Sequence, residues 1–189
     1  MIKTLVRLLS VLLLLVTPAV AIAAPLSEAQ IKQLVHEVIG KPVNVLDIDN
    51  NVGPTYVNGG ELDPGSYCIM WFYCFTVTTP SLILAIGKDV PEAYQRAMLY
   101  HELGHVAQWY NGDRQNIPRW NLEWDADEFA VRTAMDRGER PYLVADELLY
   151  LYQGDKGYTG DSNHGDLRAR SEHARRYEQL LRGTAVEAP

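Results

Sequence analysis

The sequence predicts an α+β domain, with a short, mostly antiparallel sheet followed by a helical half. Three observations carry this. The strand-like stretches, Val43–Ile48, Tyr67–Thr79 and Leu82–Ile86, all lie before Gly87. From Asp89 onward, helical periodicity takes over, with recognisable start and stop residues. A length of 189 residues suits one domain.

The first residues read as a leader. Lys3 and Arg7 form a basic start, Leu8 to Val16 an apolar run broken by Ser10, and Ala21-Ile22-Ala23 a small-residue cleavage site. Residues 1–23 are therefore expected to be a signal peptide, and 24–189 a single exported domain, periplasmic or secreted. An uncleaved membrane anchor is the competing reading, but the apolar run falls short of the ~20 residues of a spanning helix. No later stretch is long enough to span a membrane. The chain carries 17 Lys and Arg against 24 Asp and Glu. Loss of Lys3 and Arg7 with the leader leaves 15 against 24, a net charge of −9. That balance argues against nucleic acid and anionic membrane surfaces as partners.

Ser27-Glu28-Ala29-Gln30 is a capping box, Ile31, Leu34, Val35 and Val38 recur at helical spacing, and Gly40 is a stop. His36, within this helix, reads as a solvated surface residue. Val43–Ile48 alternates as a strand. Asp49 to Ser66 is rich in Asn, Gly and Pro and reads as turns and loop, with a short strand piece at Tyr56-Val57. Asp47, Asp49, Asn50 and Asn51 fail the spacing of a calcium loop and read as turn residues.

Tyr67–Thr79 is aromatic and β-branched. It contains both cysteines, Cys68 and Cys74. On one extended strand they would sit ~20 Å apart at ~3.3 Å per residue, whereas a disulfide needs Cα atoms within ~7 Å. Either the chain turns between them, making two strands, or they remain separate buried thiols. An oxidising compartment and an even count favour the bridge.

Asp89-x-Pro91-Glu92 opens a helix that runs to about Tyr110, where Asn111-Gly112 stops it. Leu99, Leu103, Val106 and Tyr110 form its expected core stripe; Ala97, His101, His105 and Gln108 form a different face. The segment His101-Glu102-Leu103-Gly104-His105 reads H-E-x-x-H. Residues four apart share a helix face, so His101 and His105 can present two imidazoles to one ion. Glu102 sits ~100° round the helix, within reach of a water on that ion without taking a ligand position. This is the arrangement of a zinc hydrolase. Gly104 costs about 1 kcal/mol against Ala in a helix interior; its expected compensation is the close approach of another element.

A second helix is expected from about Asn121 to Arg137, ended by Gly138, and a third from Pro141 to Gly154. Gly154–Asn163 reads as a polar, Gly-rich loop. A last helix runs from about Gly165 to Leu181, closed by Gly183, with an Arg-Glu mixture typical of a solvated face.

A catalytic zinc takes three protein ligands, and two histidines leave one missing. Glu123 and Asp127 lie four apart on the second helix. The pattern H-E-x-x-H followed by E-x-x-A-D-x-F-A resembles the gluzincin metallopeptidases. That resemblance implies a small zincin-like fold, one Zn2+ per chain held by His101, His105 and Glu123, and Asp127 orienting a ligand histidine. It also implies hydrolysis of a peptide or protein substrate, with Glu102 as general base. Carboxylate support of a metal-bound imidazole agrees with general metal-site chemistry, and Ala126 and Ala130 are small enough to let the two helices approach. Downstream, His164-Gly165 with Arg170 looks like the His-Pro…Arg segment of the CAAX-protease-like gluzincins, with Gly165 where that family usually has Pro. That weaker resemblance implies that His164 and Arg170 help hold the substrate or its developing oxyanion, with Tyr158 and His173 as rivals.

Three other readings compete: a catalytically inactive, zinc-stabilised binding or scaffold domain; a zinc hydrolase of cell-wall amide bonds; and an interaction protein that works through Met70-Trp71-Phe72-Tyr73. The presence of Glu102 alongside all the ligands argues against the first, which has no need of a base.

Overall fold

A computed structural model describes residues 26–48, 57–62, 64–69, 73–86, 90–112, 119–141, 160–161 and 165–186. The expected leader (1–23), nearly all of the expected third helix (141–154), Tyr158 and His164 lie outside the described residues.

Helix α1 (Glu28–Ile39) is fixed at both ends by the residues its sequence announces. Ser27 Oγ accepts from the Gln30 backbone N–H, and the Gln30 side chain accepts from the Ser27 N–H at 2.8 Å. Gly40 closes the helix in the left-handed region at φ 63°. Five strands follow: β1 (Asn44–Ile48), β2 (Val57–Leu62), β3 (Gly65–Ile69), β4 (Tyr73–Val77) and β5 (Ser81–Ile86). Helix α2 (Glu92–Asn111) carries the H-E-x-x-H segment, α3 (Arg119–Asp136) the acidic pair, and α4 (Leu167–Val186) the C-terminal basic residues. A two-residue ribbon, β6 (Gly160–Asp161) with β7 (Gly165–Asp166), leads into α4. This is an α+β arrangement, with more helix than strand.

The larger sheet has the order β1-β5-β2. β1 runs parallel to β5, and β2 antiparallel to it. β3 and β4 form a separate antiparallel hairpin. Most of β2, Asn58-Gly59-Gly60-Glu61-Leu62, was expected to be loop because Gly and Asn disfavour strands. Pairing with the apolar β5 overrides that local preference, as tertiary context does for β propensity. The hairpin register makes Cys68 and Cys74 direct Cα partners, so the chain does turn between them.

α2 is the central element. It packs on α1, β2 and β5 on one side and on α3 on the other, and α4 packs on α3. The core joins Ile31, Leu34 and Val35 of α1, Leu82 and Leu84 of β5, Leu99, Tyr100 and Leu103 of α2, and Ala130 and Ala134 of α3. Gln95, fully buried, ties the chain entering α1 to α2: its Oε1 accepts from Leu26 N–H at 2.6 Å and its Nε2 donates to the Val90 carbonyl at 2.7 Å.

Several expected boundaries shift. Pro91, not Asp89, is the N-cap of α2, and no side chain caps it. The last helix does not stop at Gly183 but continues to Val186. One glycine costs only about 1 kcal/mol, and the pairs Arg176–Glu172 and Arg182–Glu178, each one turn apart, support this stretch. Its start is set by Asp166, whose Oδ1 accepts from the backbone N–H of Arg168 and Ala169. Tyr110 leaves the expected core stripe and is only half-buried, its hydroxyl donating to the Pro42 carbonyl. Among the described residues, no helix is long and apolar enough to cross a membrane.

Candidate metal centre

Two helices bring the candidate ligands together. His101 and His105 lie one turn apart on α2, and Glu123 and Asp127 one turn apart on α3. The two helices meet where Gly104 faces Ala126. A Cβ built on Gly104 would lie 2.8 Å from Ala126 Cα and 3.1 Å from both its Cβ and its carbonyl oxygen. Glycine is thus required there by the approach of a neighbouring backbone, as the sequence suggested. The contact has a second consequence. The histidine face was expected to stand apart from the buried stripe, but α3 covers it, and His101 and His105 are 4% and 5% exposed. α2 is therefore buried nearly all round its middle turns.

The geometry converges on one point. His101 Nε2 lies 3.5 Å from Glu123 Oε2, and His105 Nε2 lies 3.4 Å from Glu123 Oε1. One ligand atom from each of His101, His105 and Glu123 can be chosen so that all lie within 4.8 Å of one another. The two imidazoles meet edge to face, with centroids 4.8 Å apart. The ring nitrogens on the far sides have their own partners. His101 Nδ1 is 2.9 Å from Asp127 Oδ1. His105 Nδ1 donates to Gln108 Oε1 at 3.0 Å when it carries the proton, and Gln108 Nε2 donates to the Leu122 carbonyl at 2.6 Å. Gln108 thus links His105 to the residue preceding Glu123. Its place on the histidine face was the only sign of this in the sequence.

Arg170 arrives from α4 and is 1% exposed. It donates through Nε to Asp127 Oδ2 at 2.8 Å and through Nη2 to Oδ1 at 2.9 Å, and its Nη1 lies 2.9 Å from Glu123 Oε2. Burial opposes the charged Arg170 guanidinium, yet Asp127, then Glu123 and then the buried Glu102 hold its pKa above the ordinary value.

The electrostatics follow from this packing. Burial opposes the charged form of His101, yet the Asp127 carboxylate and then Glu123 push it up to about 10. Burial would raise Glu123, but His101 and His105 hold it well below the carboxylate range. Asp127 is likewise lowered, against burial, by Arg170 and His101.

The donor set fits a divalent cation: two imidazole nitrogens and a carboxylate oxygen lie within 4.8 Å of one another. The buried carboxylates Glu123 and Asp127 face the Arg170 guanidinium and the raised His101 imidazole, so a cation that displaces the His101 proton meets the negative charge that this proton otherwise balances. The residues His101, His105 and Glu123 can hold a metal ion.

Of the remaining candidates, Arg170 is brought to the cluster, while His173 is engaged elsewhere. Its Nε2 pairs with Glu128 Oε1 at 2.7 Å, and its ring stacks on Trp124 with centroids 4.5 Å apart. Compared with protein-family models, curated proteins and solved structures, the chain matches none.

Proposed function

We propose that this chain is an exported, zinc-dependent metallopeptidase of zincin-like, gluzincin type. The observation that carries the reading is the convergence of His101, His105 and Glu123, with Glu102 next in the chain to a ligand. Two atoms bound to one zinc at ~2.0–2.1 Å are about 3.3–3.5 Å apart in a tetrahedral site; His105 Nε2 and Glu123 Oε1, at 3.4 Å, fall in that range, and one donor atom from each of the three residues lies within 4.8 Å of the others. Two imidazoles and one carboxylate form a three-ligand set that leaves a position open for chemistry.

When bound, zinc supplies Lewis acidity, acidifying water and polarising a carbonyl. The chain's own residues do the rest. Asp127 and Gln108 orient the two imidazoles, each acting on the nitrogen away from the metal. Glu102 accepts the proton of the attacking water and delivers it to the leaving amine. The buried setting strengthens each of these contacts.

The test is metal analysis of the protein, followed by hydrolysis of a peptide library by wild type and Glu102→Gln at matched zinc content. The reading expects about one zinc per chain for a mononuclear site and a loss of rate in the variant of at least 10²–10⁴-fold. Equal rates would remove Glu102 from the chemistry. Zinc without any hydrolysis would favour the scaffold reading, and cleavage of cell-wall amides alone the other hydrolase.

A further inference from the structure

We infer that Arg170 is a positioning residue that fixes the metal ligands, rather than a group that holds substrate. This rests on the zinc site proposed above. It departs from the substrate-holding role implied by the resemblance of the His164…Arg170 segment.

The geometry is specific. All three guanidinium nitrogens are directed at two acids one turn apart on α3. Nε and Nη2 take both oxygens of Asp127, and Nη1 lies 2.9 Å from Glu123 Oε2. At 1% exposure the side chain offers little surface to a substrate. Two consequences follow. Asp127 Oδ1, shared with His101 Nδ1 at 2.9 Å, is held so that His101 turns its Nε2 toward Glu123. Glu123 Oε2 is drawn to Arg170, which leaves Oε1, 3.4 Å from His105 Nε2, as the metal-facing oxygen. The C-terminal helix is thereby part of the metal centre while supplying no ligand. A lysine places one point charge there and cannot reproduce the planar fork.

The experiment measures zinc affinity of the full chain by chelator competition for wild type and Arg170→Lys, with the visible spectra of both proteins loaded with Co2+. The inference expects affinity in the variant to fall about 10–100-fold. It also expects a weaker cobalt absorption, because a released Glu123 can bind through both oxygens and raise the coordination number. Unchanged affinity in a folded Arg170→Lys overturns the inference. So does a loss of affinity with an unchanged cobalt spectrum, which marks general loosening. If Arg170→Lys does not fold, the double variant Asp127→Asn/Arg170→Met replaces it, since neutral groups then occupy the buried pair. Failure of that protein to fold in saturating zinc makes the role purely structural and also overturns the inference. Absence of zinc or cobalt binding in wild type sinks the zinc reading itself.

Discussion

Replacing Gly104 by alanine tests the architecture that brings the ligands together. The added methyl would lie 2.8 Å from the Ala126 Cα and 3.1 Å from its carbonyl oxygen, both backbone atoms. Carbon atoms in optimal contact sit ~3.5–4.0 Å apart, so α2 and α3 must separate by roughly 0.5–1 Å at this point. Overpacking of this kind costs about 1–3 kcal/mol. Alanine recovers about 1 kcal/mol of helix propensity, so the net loss is about 0–2 kcal/mol. For a chain of this length that lowers the Tm by up to about 8 °C. The effect on the metal should be larger than the effect on stability. Catalytic and ligand constellations tolerate only ~0.5 Å of displacement, and His101 and His105 flank the point of contact. Zinc affinity is expected to fall at least tenfold. Thermal unfolding with and without zinc, together with chelator competition, measures both quantities. Gly183→Ala is the control: it also lies within a helix, but nothing is within 4 Å of its built Cβ, so it should gain up to about 1 kcal/mol. If Gly104→Ala is as stabilising as Gly183→Ala and keeps wild-type zinc affinity, the close approach of α2 and α3 is wrong.

Gln108→Leu removes the acceptor for His105 Nδ1 and the donor to the Leu122 carbonyl. Zinc affinity should fall about 10–100-fold, and a titration with wild-type affinity would show that Gln108 does not orient His105. In metal-free protein the folded His101 lies at about 10 against an ordinary 6.5, so its contribution to stability is complete below about pH 6.5 and is lost as pH rises towards 10. Zinc must displace that proton, so apparent zinc affinity should climb with pH over the same window while the zinc-bound Tm stays flatter. A metal-free Tm that does not fall between pH 6.5 and 10 refutes this. Directly opposed residues in an antiparallel pair have Cα atoms about 4.5–5.5 Å apart, within disulfide range. Cys68 and Cys74 are such partners. Thiol titration of denatured protein from an oxidising compartment should therefore find no free thiol, and two free thiols would exclude the bridge.

What could be read in the sequence was local. The capping box at Ser27–Gln30, the Gly40 stop, the pairing of His101 with His105, and that of Glu123 with Asp127 all depend on spacings within one turn of helix. Gly104 was legible because a glycine in a helix interior carries a cost that calls for a compensating contact. The parallel pairing of β1 with β5 was not legible, because it joins segments separated by the strand β2 and the β3–β4 hairpin. β2 was hidden by its own glycines. Gln108 was hidden because a glutamine three residues after a histidine looks the same whether it faces water or a neighbouring helix.

The burial of the histidines shows why local spacing runs out. Their face was expected to be distinct from the apolar stripe of α2, and it is, with Leu99 and Leu103 directed to the core and His101 and His105 to the acids. Exposure depends on what covers a face, and the polar face of α2 is covered by α3 through the Gly104–Ala126 contact. Once covered, the imidazoles and carboxylates must satisfy one another, and this is where distant residues enter. Asp127 requires a counter-charge, and it comes from Arg170, 43 residues further along the chain. The spacing within each helix therefore selects the candidate ligands, while the choice of groups that hold them belongs to the packing of three helices. Removing charges from that buried set one at a time should be more damaging than removing a matched pair, because a lone buried charge is left without compensation.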